Sequence, residues 1–122
     1  MNEKSSLQSD LITQAGLQAL DEHLASLRYA GMIQHALMPD MKMLSGLLKD
    51  FFVLFMPRDI VSGDFYYAFC NREYICLAAG DCTGHGVPGA LMSILGISFL
   101  NEILQLNKCM KANRVLNMMR EK

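Results

Sequence analysis

Between residues 7 and 38 apolar side chains return at alternating steps of three and four: Leu17, Leu20, Leu24 and Leu27. Asp21, Glu22 and Arg28 fill the polar positions between them. Leu7 and Leu11 open the stripe, and Ile33 with Leu37 continues it on a shifted face. A period near 3.6 predicts one long helix over 7–38. Pro39 ends it, because the residue before a proline is pushed out of helical geometry. Two heptads fit equally well a helix packed on its own domain and one that dimerises.

Beyond a linker containing Gly46 the pattern changes. Phe51-Phe52-Val53-Leu54-Phe55-Met56 reads as a strand. Gly63 to Cys70 and Tyr74 to Ala79 read as two more, joined by the polar turn Asn71-Arg72-Glu73. Their apolar residues are consecutive, the signature of strands covered on both faces. Val87 to about Leu106 follows as a helix with Pro88 in its first turn, striped by Leu91, Ile94, Leu95, Phe99 and Ile103. A short helix from Arg114 closes the chain. The expected class is α/β, with three or so antiparallel strands between a long N-terminal helix and later helices. A sheet covered on both faces needs two partner layers. The helix from Val87 supplies one of them. The expectation is therefore a chain that pairs through its sheet or a domain that is incomplete.

Composition narrows the functional classes. In 122 residues, 52% are hydrophobic and 19% charged, too apolar for a disordered chain. Eleven basic against twelve acidic residues leave a net charge of −1. The basic residues are scattered, apart from a mild excess at Lys108, Lys111, Arg114 and Arg120, so no nucleic-acid partner is expected. Gly89, Ser93, Gly96 and Ser98 interrupt the stretch from Val87 to Leu100, and no membrane span is expected. The opening Asn2-Glu3-Lys4-Ser5-Ser6 does not resemble a secretion leader, which points to the cytoplasm. Cys70, Cys76, Cys82 and Cys109 form no C-x-x-C pair. They read as buried thiols. Cys82 and His85 have C-x-x-H spacing, but structural zinc needs a second pair. The ten methionines, Met92, Met118 and Met119 among them, read as core filler.

Two polar, glycine-rich segments stand out from this background. One runs Arg58-Asp59-Ile60-Val61-Ser62-Gly63-Asp64-Phe65-Tyr66, the other Gly80-Asp81-Cys82-Thr83-Gly84-His85-Gly86-Val87-Pro88-Gly89-Ala90. Asp64 starts one strand of the expected hairpin and Asp81 follows the other, which brings them together at one end of the sheet. Adjacent carboxylates repel unless a proton or cation lies between them. Oxygen donors in a polar rim suit magnesium or manganese better than zinc. Gly63, Gly84, Gly86 and Gly89 let backbone approach a ligand closely. The helix from Val87 offers free N–H groups to an anion. A phosphate-ester site and a plain glycine-rich turn with capping aspartates both fit these residues.

Both segments resemble the first two motifs of SpoIIE-type serine phosphatases, which belong to the PPM-type, metal-dependent protein phosphatases. Ile33-Gln34-His35-Ala36-Leu37-Met38-Pro39 is similar to that family's opening segment, so the likeness spans roughly residues 33–120. It implies an N-terminal helical linker over 1–38 and the N-terminal part of a phosphatase domain over 39–122. It also implies an α/β sandwich holding two Mn²⁺ or Mg²⁺ ions. Asp64, Asp81 and the backbone carbonyl of Cys82 would be metal ligands, and Arg58 either a phosphate contact through its guanidinium fork or a plain exposed loop residue. By resemblance, a metal-bound hydroxide attacks phosphoserine or phosphothreonine directly. The substrate would be a small regulatory protein of the anti-sigma-factor-antagonist kind.

Two features depart from the pattern. Some relatives carry a His two residues after the second Asp, where this chain has Thr83. His85 is then the candidate general acid, against a packing or capping role. No Asp follows Asp81, although the family draws further Asp ligands from later segments. The expectation is that these 122 residues bind metal weakly and hydrolyse little. The rival expectations are a non-catalytic interaction module, dimerising through the N-terminal helix, and a gene fragment.

Overall fold

A computed structural model describes residues 3–106 and 111–122. Cys109 and Lys108 lie outside the described residues. The first element is the expected long helix, α1, Glu3–Leu37. Its stripe continues otherwise than through Ile33 and Leu37, which are exposed. The three-four spacing from Leu24 and Leu27 runs on through Gly31, Gln34 and Met38, all buried. Leu24 and Leu27 are half-buried, whereas Leu7, Leu11, Leu17 and Leu20 are exposed. The last turns of α1 therefore pack on the chain's own core, whereas residues 10–20 are exposed along every face.

The expected linker around Gly46 is a second helix, α2, Met41–Leu47. Asp40 caps it, its Oδ1 accepting from the Met43 N–H at 2.6 Å. Leu44 is its buried anchor.

The expected strand at 51–56 is absent, and the sheet has two strands instead of three or so. Residues 51–57 do alternate half-buried and exposed, with Phe52, Leu54 and Met56 turned outward. A strand needs a neighbour to bond with, and none among the described residues pairs its backbone with this segment. Phe55 ties it to the fold, edge-on to His35 and to Tyr66 with ring centroids 5.8 Å apart in each case.

The two strands, β1 (Asp64–Cys70) and β2 (Ile75–Asp81), form an antiparallel hairpin. The Asn71 side chain organises its turn, Oδ1 accepting from the Glu73 and Tyr74 N–H groups at 2.9 Å each. Helix α3, Gly86–Leu106, crosses one face, and α4, Ala112–Arg120, packs against α3. Phe65, Tyr67, Ile97, Leu100, Ile103, Leu104 and Val115 form the buried core between hairpin and helices. The opposite face carries Ile75 and Leu77, both exposed. Coverage on both faces, which the apolar runs predicted, is thus complete on one only; on the other Ala68 is buried and Phe55 reaches Tyr66.

By length and composition α3 reaches the range of a membrane-crossing helix, with mean hydropathy 1.6 over its apolar window. Gly89, Ser93, Gly96 and Ser98 do not lower it out of that range, contrary to the sequence reading. In this fold α3 is the core helix: Ile97, Leu100, Ile103 and Leu104 are all buried. Two other expectations fail on burial. Cys70 is exposed, with Cys76 and Cys82 half-buried. Met92 is exposed as well, while Met118 and Met119 pack partly against the core.

Tyr67 supplies the core with a titrating group. Its hydroxyl donates to Asn101 Oδ1 at 2.7 Å. Burial, then the nearby Cys76 and Tyr74, push its pKa from 10.0 up to about 12. A raised folded pKa means that the neutral phenol is favoured in the native state. Its contribution is complete below the unfolded pKa and is lost as pH rises through the folded one. Stability is therefore expected to fall between about pH 10 and about pH 12, by up to roughly 2.5 kcal/mol. Urea midpoints across that window check this: Tyr67→Phe should flatten the pH dependence.

Candidate functional site

The hairpin register sets the geometry of the site. Asp64 pairs with Asp81, at the end of the sheet away from the Asn71 turn. The Cys82 N–H donates to the Gly63 carbonyl at 3.2 Å, which makes 63/82 a hydrogen-bonded pair. Asp64/Asp81 is then the neighbouring non-bonded pair, in which facing side chains stand closest, about 4.5–5.5 Å between Cβ atoms. Both residues are exposed. Their charges reach the neighbouring thiol: burial, then Asp81 and Asp64, push the Cys82 pKa upward.

Beyond Asp81 the chain turns sharply into α3. Gly84 and Gly86 hold φ of +92° and +62°, backbone that side chains rarely adopt. Glycine is needed at these two places for the turn itself. Gly63 serves a different need: a Cβ there would lie 2.7 Å from the Cys82 carbonyl oxygen and 3.0 Å from that of Gly84. The two motifs thus touch through bare backbone, with the Cys82 carbonyl held against Gly63.

The remaining candidates lie further out. His85 is 74% exposed at its side chain, which leaves it unpacked, and it stands directly before the first residue of α3. Its Nδ1 lies 3.5 Å from Asp59 Oδ2, a pairing that links the two motifs. Asp59 has no place among the residues that sequence reasoning singled out, and only its position in the first motif hinted at a role. Arg58 is exposed and, with Asp59, lines an open cleft of about 680 Å³ between α1 and the start of α3. His23, Leu24 and Leu27 form its α1 wall.

Three buried polar groups were also missed as functional residues. Gln34, Ser62 and Ser93 meet beneath the first motif, at 1%, 8% and 0% exposure. A glutamine at a position of the helical stripe is the one sequence signal that marks them.

As a metal site the donor set fits a hard divalent cation as far as it extends: two adjacent carboxylates with a backbone carbonyl beside them. Among the described residues no cluster of three or more His, Cys, Asp or Glu side chains suited to a metal is present. A single shared cation is better matched than a complete binuclear centre.

The class this arrangement falls in is a PP2C-like fold, represented in part. The chain is similar to the solved SiaA-PP2C domain of Pseudomonas aeruginosa, with 33% sequence identity and a TM-score of 0.75. That likeness covers 84% of this chain and 42% of the other, so this chain spans less than half the length of that structure. The identity and the shared fold support a relationship to the PPM-type (PP2C) phosphatases. No protein-family model and no curated protein matches the sequence.

Proposed function

We propose that this chain carries the first part of the metal site of a SpoIIE-type, PPM-family serine/threonine phosphatase. The observation that carries the reading is the facing of Asp64 and Asp81 across the open end of the hairpin. When bound, Mn²⁺ or Mg²⁺ would offset phosphate charge and lower the pKa of a water at neutral pH. Asp64, Asp81 and the Cys82 carbonyl would hold the cation. Arg58 would draw phosphate into the adjoining cleft through its guanidinium fork. His85, steered by Asp59, would stand at the rim as a proton donor to the leaving serine or threonine oxygen. The substrate would be a phosphorylated regulatory protein of the anti-sigma-antagonist kind, met in the cytoplasm. The exposed Leu7, Leu11, Leu17 and Leu20 would join two copies through α1. On this reading residues 1–38 are a helical linker and 39–122 the phosphatase portion.

Two carboxylates set a limit on metal affinity, since affinity follows the charge and number of ligands. The full chain is expected to bind Mn²⁺ weakly and to hydrolyse a phosphoserine peptide slowly or not at all. Asp81→Asn should weaken binding on the order of tenfold or more, because it removes half of the carboxylate charge. Mn²⁺ titration followed by electron paramagnetic resonance, with a parallel phosphate-release assay, tests this. Binding equal in both proteins would overturn the metal assignment.

The exposure of Phe52, Leu54, Met56 and Leu77 favours a second reading, a non-catalytic interaction module. Hydrolysis that disappears in Asp81→Asn would exclude it. A cooperative melt and a defined dimer, without Mn²⁺ binding, would favour it.

A further inference from the structure

We propose that Gln34 is a positioning residue for Asp64, holding the strand that presents this carboxylate at a fixed place relative to α1 and α3. The functional side of this inference rests on the reading that Asp64 and Asp81 share a divalent cation.

The argument begins with one peptide unit. The Ser62 N–H donates to Gln34 Oε1 at 3.0 Å, and Gln34 Nε2 donates to the Ser62 carbonyl at 2.5 Å. A single side-chain amide thus satisfies both backbone groups of one loop residue, as a neighbouring strand would. Its orientation is forced, because the N–H can only donate and the carbonyl only accept. Nε2 also donates to Ser93 Oγ at 2.6 Å, and that hydroxyl contacts the Ala90 carbonyl at 2.8 Å and the Ser62 carbonyl at 3.2 Å. One knot therefore joins α1, the first motif and α3.

The knot reaches the site through Ser62. The Asp64 N–H donates to Ser62 Oγ at 3.0 Å. In the non-bonded pair Asp64/Asp81 that N–H points away from β2, so the sheet offers it no partner. Ser62 supplies the partner, and Gln34 holds Ser62. One turn earlier on α1, a Cβ at Gly31 would meet the Ile60 carbonyl at 3.0 Å, so the helix lies as close to this loop as a bare α-carbon allows. None of these polar side chains is left unsatisfied, and each is almost wholly buried. A buried network of this kind is rigid when complete and costly when broken. Groups that orient a metal ligand from behind affect affinity by about 10–100-fold.

The test uses the full chain and three variants. Gln34→Met keeps the side-chain length and apolar fit but removes all three side-chain hydrogen bonds. Ser62→Ala keeps the backbone clamp and removes only the bond to the Asp64 N–H. Tyr67→Phe, which breaks the buried bond to Asn101 elsewhere in the core, controls for destabilisation alone. Amide hydrogen exchange of the metal-free proteins by NMR and Mn²⁺ affinity are both measured. Gln34→Met should speed exchange at Ser62 and Asp64 and weaken Mn²⁺ binding by about 10–100-fold. Ser62→Ala should speed exchange at Asp64 alone, and Tyr67→Phe should change neither readout.

Unchanged Asp64 exchange in Gln34→Met, or an equal loss of affinity in Tyr67→Phe, overturns the proposal. If Gln34→Met does not fold, Ser62→Ala decides: a folded variant with wild-type exchange and affinity overturns it. If the wild type binds no Mn²⁺, the metal reading fails, and the exchange rates alone decide whether Gln34 positions Asp64.

Discussion

Gly63→Ala is expected to separate the two motifs and to cost about 1–3 kcal/mol of stability. The added methyl would sit 2.7 Å from the Cys82 carbonyl oxygen and 3.0 Å from that of Gly84. Both obstacles are backbone atoms, so no rotamer change relieves the clash. The same turn is confined from behind, since a Cβ at Gly89 would lie 2.7 Å from the Gly84 oxygen. The 80s loop can yield only by moving away from β1, which would carry Asp81 away from Asp64. Weaker Mn²⁺ binding should therefore accompany the lower urea midpoint. Gly46→Ala is the matching control, because nothing lies within 4 Å of its added methyl. In the helical setting of α2 that change should be neutral or stabilising, by up to about 1 kcal/mol. Equal losses in the two variants would sink the close-approach argument.

Ile97→Ala is expected to cost about 2–5 kcal/mol, the largest effect of any single truncation considered. Ile97 is 0% exposed, in the middle of α3 within the cluster that holds Phe65, Tyr67 and Leu100. Removing three carbons there loses transfer free energy and leaves a cavity that a close-packed core closes only in part. Domains are stable by roughly 5–15 kcal/mol, so one substitution consumes a large share. Leu95, on the outer side of the same helix, is 47% exposed. Leu95→Ala should stay within about 0.5 kcal/mol. Equilibrium unfolding of both variants checks the contrast, which depends on which face of α3 is covered.

Much of this architecture was legible from the chain alone, for reasons that differ by element. Local signals carried the helices α1 and α3 and the hairpin: a 3.6 period, Pro39 as a stop, and the polar turn at 71–73. The hairpin then dictated that Asp64 and Asp81 meet, since register follows from the turn. Two departures have causes of their own. Phe51–Met56 has the composition of a strand, yet strand formation depends on a partner that composition does not report. Helix α2 was hidden because Asp40 caps so short an apolar run that it reads as linker. The end of α1 illustrates a third limit. Its buried seam runs through Gly31 and Gln34, which an apolar-only pattern skips, so that pattern leads to exposed Ile33 and Leu37 instead. The same blindness hid the knot of Gln34, Ser62 and Ser93, since buried polar residues leave no period.

The alternating exposure along residues 51–57 has a practical side. A stretch whose N–H and C=O groups bond to no backbone among the described residues, flanked by outward Phe52, Leu54 and Met56, is a template for a strand from elsewhere. Its sequence, Phe-Phe-Val-Leu-Phe-Met, is uncharged and free of proline, the composition that stacks into cross-β ribbons. These six residues, of which Phe55 packs against the core, are accordingly expected to limit solubility. A lysine at position 54 would act as a gatekeeper, raising the concentration at which solutions turn cloudy while leaving the hairpin untouched.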